Sequence, residues 1–145
     1  MKWLTPIGFP VYQHYQKQNA VEVRTQLNGG CRLWVQSFED AEPSKRGQRN
    51  GIAPNFVHSI DATHMVMTIN LIDDECLAMI HDDYGTHAGH TQKLFKGIRT
   101  SFHTLYTEHN PIEDWATQVD ADLETIPPVG NYNISEIVNA DYFFG

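Results

Sequence analysis

Residues 76–88 read Cys76-Leu77-Ala78-Met79-Ile80-His81-Asp82-Asp83-Tyr84-Gly85-Thr86-His87-Ala88. An apolar run, Leu77 to Ile80, enters a polar turn and comes back through Tyr84, Gly85 and Thr86. That pattern predicts a short buried strand, a tight turn and a returning strand. The turn sets the carboxylates of Asp82 and Asp83 where a strand ends. Carboxylate oxygens suit a hard cation such as magnesium, which takes one or two carboxylates plus substrate phosphates. An ordinary solvated hairpin turn, where Asp is favoured, accounts for the same two residues. The residues alone leave both readings open.

Helical periodicity surrounds this hairpin. Leu94, Ile98, Phe102 and Leu105 form one apolar stripe that predicts a helix over 88–109, packed behind the hairpin. Gly97 inside it costs helix stability relative to Ala and marks a close approach. A second helix is expected over 54–73, begun by Pro54, with Phe56, Val57, Ile60, His64 or Met65, Met67, Leu71 and Ile72 near helical spacing. His58 lies on a different part of that helix. Pro111, Trp115, Val119 and Leu123 predict an acidic amphipathic helix over 111–126, ended by Pro127-Pro128. A last short helix over 134–138 is begun by Asn133 or Ser135. His87 and His90 are three apart, but no third ligand stands at zinc-site spacing.

Upstream, residues 1–13 contain Pro6, Gly8 and Pro10 and predict an extended connector anchored by Trp3, Phe9 and Tyr12. Residues 20–37 alternate on both sides of Asn28-Gly29-Gly30, a hairpin signal. A two-stranded ribbon fits a major groove, and Arg24, Gln26 and Arg32 can donate to base edges or phosphates. A solvated hairpin with surface arginines accounts for the same pattern. Residues 39–51 hold no periodic apolar residues and predict a loop carrying Lys45, Arg46 and Arg49.

The chain has 145 residues, 41% apolar and 19% charged, an ordinary composition for one globular domain or part of one. No apolar run reaches the ~20 residues a membrane span needs. Cys31 and Cys76 offer no disulfide framework, which fits a reducing compartment. The net charge of −8 argues against a free-standing nucleic-acid binder. It is unevenly spread: residues 1–60 hold seven Lys or Arg against four Asp or Glu, and residues 61–145 hold three against fourteen. Only the first part is suited to face phosphates.

His81-Asp82-Asp83-Tyr84-Gly85-Thr86, after its apolar strand, resembles the third palm motif of the single-subunit DNA-directed RNA polymerases of bacteriophages and mitochondria. The block from Gly51 to His64, Gly-Ile-Ala-Pro-Asn-Phe-Val-His-Ser-Ile-Asp-Ala-Thr-His, resembles the segment preceding that motif. Trp3 to Gln13 resembles the segment before that, and Asp141-Tyr142-Phe143-Phe144-Gly145 resembles the aromatic terminus of phage members. The blocks occur in the family's order.

The resemblance implies an α+β fold: the C-terminal palm and fingers part of a right-hand polymerase. Helices would pack on a small antiparallel hairpin carrying the His-Asp motif, and an N-terminal hairpin would protrude. It implies two regions, 1–50 as connector and promoter-specificity hairpin, and 51–145 as palm-associated helices, catalytic hairpin and tail. Asp82 falls where the family has its second metal-binding aspartate, with His81 beside it as a catalytic neighbour. His58 falls near the template, and Arg24, Gln26 and Arg32 fall on the promoter-reading hairpin. The implied cofactor is Mg2+, two ions shared with the rest of the palm. The implied partners are DNA template and promoter, nascent RNA, nucleoside triphosphates and no membrane. The implied setting is the cytoplasm of an infected bacterial host, ahead of the mitochondrion.

The first palm aspartate, and the fingers segment that meets the nucleotide phosphates, have no match here. The expectation is therefore a C-terminal fragment or subunit, completed by a second polypeptide that carries the N-terminal domain, remaining palm and fingers. A split enzyme, an intron-interrupted gene and a truncated fragment all fit. The alternative is a non-catalytic polymerase remnant that binds DNA or a polymerase.

Overall fold

The computed structural model describes residues 1–145 except 18, 27–28, 38–40, 74–75 and 144–145. In chain order the elements are β1 (Lys2–Leu4), β2 (Pro10–Tyr12), β3 (Asn19–Thr25), β4 (Cys31–Ser37), α1 (Lys45–Ile72), β5 (Leu77–Ile80), β6 (Asp83–Thr86), α2 (Thr91–Glu108) and α3 (Pro111–Gln118). Short 3₁₀ segments occupy Ala88–His90, Leu123–Thr125 and Ile134–Asn139. Among the described residues the strands pair as three two-stranded sheets, β1 with β2, β3 with β4 and β5 with β6. The mixture of helices and small sheets is the α+β class expected. No described helix is long and apolar enough to cross a membrane. The chain divides into two compact units, Met1 with Tyr12–Asn55, and Lys2–Val11 with the residues from Phe56 onward.

In the first unit, β3 and β4 form an antiparallel ribbon in register from Asn19↔Ser37 to Thr25↔Cys31. The alternation of the sequence therefore becomes two faces. Val21, Val23, Leu33 and Val35 share one, and Glu22, Arg24, Arg32 and Trp34 share the other. Leu27, expected in the first strand, and Asn28 of the expected turn lie outside the described residues; Gly29 (φ +80°) and Gly30 (φ +106°) adopt the left-handed backbone that glycine tolerates. The foot of the ribbon is tied to α1. Gln13 Nε2 donates to the Gln48 carbonyl at 2.7 Å, and Gln48 Nε2 donates to the Gln13 carbonyl at 3.0 Å.

The helix over 54–73 in fact begins at Lys45, so Lys45, Arg46 and Arg49 sit on helical turns rather than in a loop. Ser44 caps it: its Oγ accepts from the Gly47 N–H at 3.1 Å. Pro54 lies inside the helix, not at its first turn. Gly47 and Gly51, which read as helix breakers, face Tyr15. A Cβ on Gly51 would stand 2.4 Å from Tyr15 Cε2, so the ring occupies the space the glycine leaves.

In the second unit, Trp3 is 3% exposed, and its Nε1 donates to Ser59 Oγ at 3.1 Å. Phe56 stands between Trp3 and Trp115, with centroids 6.3 and 5.8 Å away. Phe9 and Tyr12, expected as anchors beside Trp3, are 65% and 66% exposed instead. Leu4 and Gln118 exchange two hydrogen bonds, Leu4 N–H to Oε1 at 2.7 Å and Nε2 to the Leu4 carbonyl at 3.1 Å, fixing β1 to α3.

Ile72 of α1 and Leu94 and Ile98 of α2 form a core that Leu77, Met79 and Tyr84 of the β5–β6 hairpin complete, together with Phe143. The expected packing of α2 behind the hairpin is therefore present. Phe143 meets Phe102 edge-on at 5.0 Å; Phe144 and Gly145 lie outside the described residues. The acidic helix stops at Gln118, short of 126. Asp120 takes a left-handed φ of +55°, and the Ala121 N–H turns back to the Ala116 carbonyl at 2.9 Å, the closure of a helix C-terminus. The last short helix is the 3₁₀ segment Ile134–Asn139, with Asn133 Oδ1 accepting from the Ser135 N–H at 3.2 Å.

Candidate functional site

Leu77 pairs with Thr86 and Ile80 with Asp83, which leaves His81 and Asp82 as the two residues of the turn. A positive φ at the first position of a two-residue hairpin turn is usually taken by glycine. Here that position is His81, at φ +57°. His is among the residues that tolerate this region best, and non-glycine residues held there cluster at functional sites. Both His81 and Asp82 are exposed at the tip. Leu77 and Met79 face the core while Ala78 and Ile80 face out. Asp83, paired with Ile80, shares the outward face, whereas Tyr84, paired with Met79, points inward. At the open end, Thr86 Oγ1 donates to the Cys76 carbonyl at 3.0 Å.

Behind the hairpin runs a buried polar seam. His64 of α1 is 5% exposed. Its Nε2 lies 2.9 Å from the Ile98 carbonyl of α2, and its Nδ1 lies 3.2 Å from the Tyr84 hydroxyl. A carbonyl only accepts, so Nε2 carries the proton. In the neutral ring Nδ1 is then the acceptor, and the Tyr84 O–H donates to it. Burial lowers the His64 pKa, opposed by the Ile98 hydrogen bond and the Asp61 charge. Burial likewise raises that of Tyr84. Thr68 Oγ1 donates to the His64 carbonyl at 2.8 Å and lies 2.6 Å from Ser101 Oγ, extending the seam between α1 and α2.

On the ribbon, Arg24 and Arg32 are directly paired across the strands. Like charges facing each other are unfavourable. Glu22 Oε1 stands 3.4 Å from Nε of each, so one carboxylate holds both cations. Both guanidinium groups remain open to solvent, and Gln26 beyond the strand end is exposed. His58 is exposed on α1.

Among the described residues, no three His, Cys, Asp or Glu side chains are grouped to hold a metal ion. His87 and His90 approach with ring centroids 6.5 Å apart, and among the described residues no third ligand joins them. The chemistry of the hairpin tip suits magnesium. It offers Asp82, an exposed oxygen donor without a described ion pair, and no soft ligand beside it. One carboxylate does not make a site, and among the described residues no further ligands gather beside it. In the sequence, His64 or its neighbour Met65 falls on the apolar stripe of α1. The role of His64 as a hydrogen-bonding hub was not legible, because Ile98 and Tyr84 are distant along the chain. A polar ring recurring at a core position was the available signal.

A family profile described as DNA-dependent RNA polymerase matches residues 1–125. The chain is 33% identical to the DNA-directed RNA polymerase of Enterobacteria phage K11, over 98% of this chain and 17% of that protein. It is 32% identical to T7 RNA polymerase of Escherichia phage T7, over 98% of this chain and 18% of that protein. It is 33% identical to DNA-directed RNA polymerase 1A of Nicotiana tabacum, over 99% of this chain and 94% of that protein. The chain thus spans less than a fifth of the length of these phage relatives.

Proposed function

The chain belongs to the phage-type DNA-dependent RNA polymerase family, and on that footing we propose that it is the C-terminal palm part of such an enzyme, active when a second polypeptide supplies the rest. The observation that carries this reading is the β5–β6 tip. His81 is held left-handed, and the Asp82 carboxylate is exposed beside it without a described ion pair.

In this reading Asp82 is one of two aspartates that hold the catalytic magnesium ions, and the other aspartate lies in the second polypeptide. When bound, such ions stabilise the attacking and leaving oxygens of an in-line displacement. The chain's own contribution is positional. A two-residue turn on a packed hairpin fixes the direction of the Asp82 carboxylate, and His81 borders the RNA 3′ end. His58 lies toward the template. The β3–β4 ribbon contacts the promoter through Arg24, Gln26 and Arg32, whose donors are already gathered on an exposed surface. Residues 1–50 act as the promoter-contacting region and 51–145 as the catalytic one. DNA, nascent RNA and nucleoside triphosphates are the ligands, and the cytoplasm of an infected bacterium is the setting.

The test is promoter-directed RNA synthesis with this chain alone, with a polypeptide carrying the remaining polymerase segments alone, and with both. Synthesis only from the mixture is expected. Two folded proteins that make no RNA together would move the chain to a binding role without catalysis.

A further inference from the structure

The β5–β6 hairpin has only four residues in each strand, and an isolated hairpin of that kind is marginal in water. What orients its tip is therefore what holds its strands. β5 contributes Leu77 and Met79 to the core. β6 reads Asp83-Tyr84-Gly85-Thr86, so Tyr84 is its one large side chain. Apolar contact alone permits a tyrosine ring to slide or tilt, whereas a directional hydrogen bond at its far end does not. There the Tyr84 hydroxyl meets His64 Nδ1 at 3.2 Å, with the Thr68 side chain as a second hydrogen-bond partner.

We propose that His64 is a positioning residue for the hairpin that presents Asp82. Its Nε2–H is spent on the Ile98 carbonyl of α2, and its Nδ1 receives the Tyr84 hydroxyl of β6, at 2.9 and 3.2 Å. One buried ring thus ties the returning strand to both long helices. Phe102 closes on the imidazole edge-on at 5.3 Å and keeps the ring from swinging. Tyr84 is two residues from Asp82, and the two-residue turn leaves no slack between them. Movement of Tyr84 is consequently movement of the carboxylate. The catalytic meaning of this anchor rests on the polymerase reading above; the anchor itself does not.

The experiment has two arms. In the first, backbone hydrogen exchange is followed on the full chain for residues 77–86, with the β3–β4 ribbon as internal reference. His64→Leu and Tyr84→Phe are each expected to speed hairpin exchange about tenfold or more, since both remove the buried hydrogen bond between Tyr84 and His64, and to leave the ribbon unchanged. His64→Gln keeps a donor and an acceptor and should restore most of the protection. Should His64→Leu fail to fold, Tyr84→Phe and His64→Gln still decide the matter. Hairpin exchange equal to the unmodified chain in Tyr84→Phe would overturn the proposal.

In the second arm, the reconstituted polymerase carrying Tyr84→Phe is expected to lose kcat about tenfold, with KM for nucleotide within about twofold. A change in KM alone, or faster exchange without a kcat loss, would overturn the positioning role. Absence of synthesis from the unmodified mixture would instead overturn the polymerase reading. That outcome is distinguished by the exchange arm, which requires no synthesis.

Discussion

Gly97 of α2 lies against Ile72 of α1 so closely that a Cβ on the glycine would stand 2.6 Å from Ile72 Cγ1 and 2.9 Å from its Cδ1. Ile72 is 4% exposed and belongs to the core beneath the β5–β6 hairpin, so it has little room to yield. Gly97→Ala gains up to about 1 kcal/mol of helix propensity. Overpacking of this kind costs about 1–3 kcal/mol, so the clash prevails. Urea denaturation should give a less stable variant. A Gly97→Ala protein more stable by about 1 kcal/mol would mean the two helices are free to part.

Ser44 caps α1, which begins at Lys45, well before Pro54. Ser44→Ala removes the acceptor for the Gly47 N–H. The expected cost is about 1 kcal/mol. Exchange of the amides in the first turn, after Lys45, should rise, while amides late in α1 keep their protection. Unchanged first-turn protection would show that the cap contributes nothing.

The His64 imidazole gives stability a pH dependence of definite sign. Its folded pKa is lowered chiefly by burial, against the Ile98 hydrogen bond and the Asp61 charge. Tyr84, the titratable group facing it from β6, has its own pKa raised and stays protonated at neutral and acid pH. Unfolded, His64 takes up a proton near pH 6.5. Between that value and the lower folded one, the unfolded state binds more protons, so stability rises with pH. The contribution is complete above about pH 6.5 and is lost as pH falls through the folded value. Denaturation midpoints measured at about pH 7.5 and about pH 5.5 should differ less in His64→Gln than in the unmodified chain. An identical difference in both would remove His64 as the source.

The ribbon makes a separate prediction about DNA. Glu22 holds Arg24 and Arg32 together on one exposed face. If both contact phosphates in the proposed promoter interface, Arg24→Ala or Arg32→Ala in the reconstituted enzyme should each reduce the slope of log affinity against log salt by about 1. Lys17 is already paired with Glu42 on the surface at 2.6 Å, and Lys17→Ala serves as the comparison. Equal slopes for all three variants would place the DNA elsewhere.

Much of this architecture is legible in the sequence because it follows local periodicity. The alternation of Val21, Val23, Leu33 and Val35 specifies the ribbon and its register. The 94-98-102-105 stripe specifies α2. The apolar run before His81-Asp82 specifies the hairpin. What escapes is set by partners distant along the chain. Gly47, Gly51 and Pro54 argue locally against a helix, yet Tyr15 fills the space beside the glycines and Ser44 caps the start. The acidic pattern after Gln118 continues as if helical, but Asp120 turns left-handed and ends α3. At the site, the residue types and spacing of His81-Asp82 are visible, whereas the left-handed backbone of His81 and the bonds from His64 to Ile98 and Tyr84 emerge only when α1, α2 and β6 meet.

The proposed role of Asp82 is that of a metal-binding aspartate in a polymerase completed by another polypeptide. It is tested most directly by promoter-directed RNA synthesis from the reconstituted pair with Asp82→Asn, alongside circular dichroism of the variant chain. Asp82 is exposed at a turn, so the substitution should leave the spectrum and melting unchanged. Synthesis is expected to fall to background while the fold is kept. Synthesis by Asp82→Asn at a rate near that of the unmodified pair would contradict it.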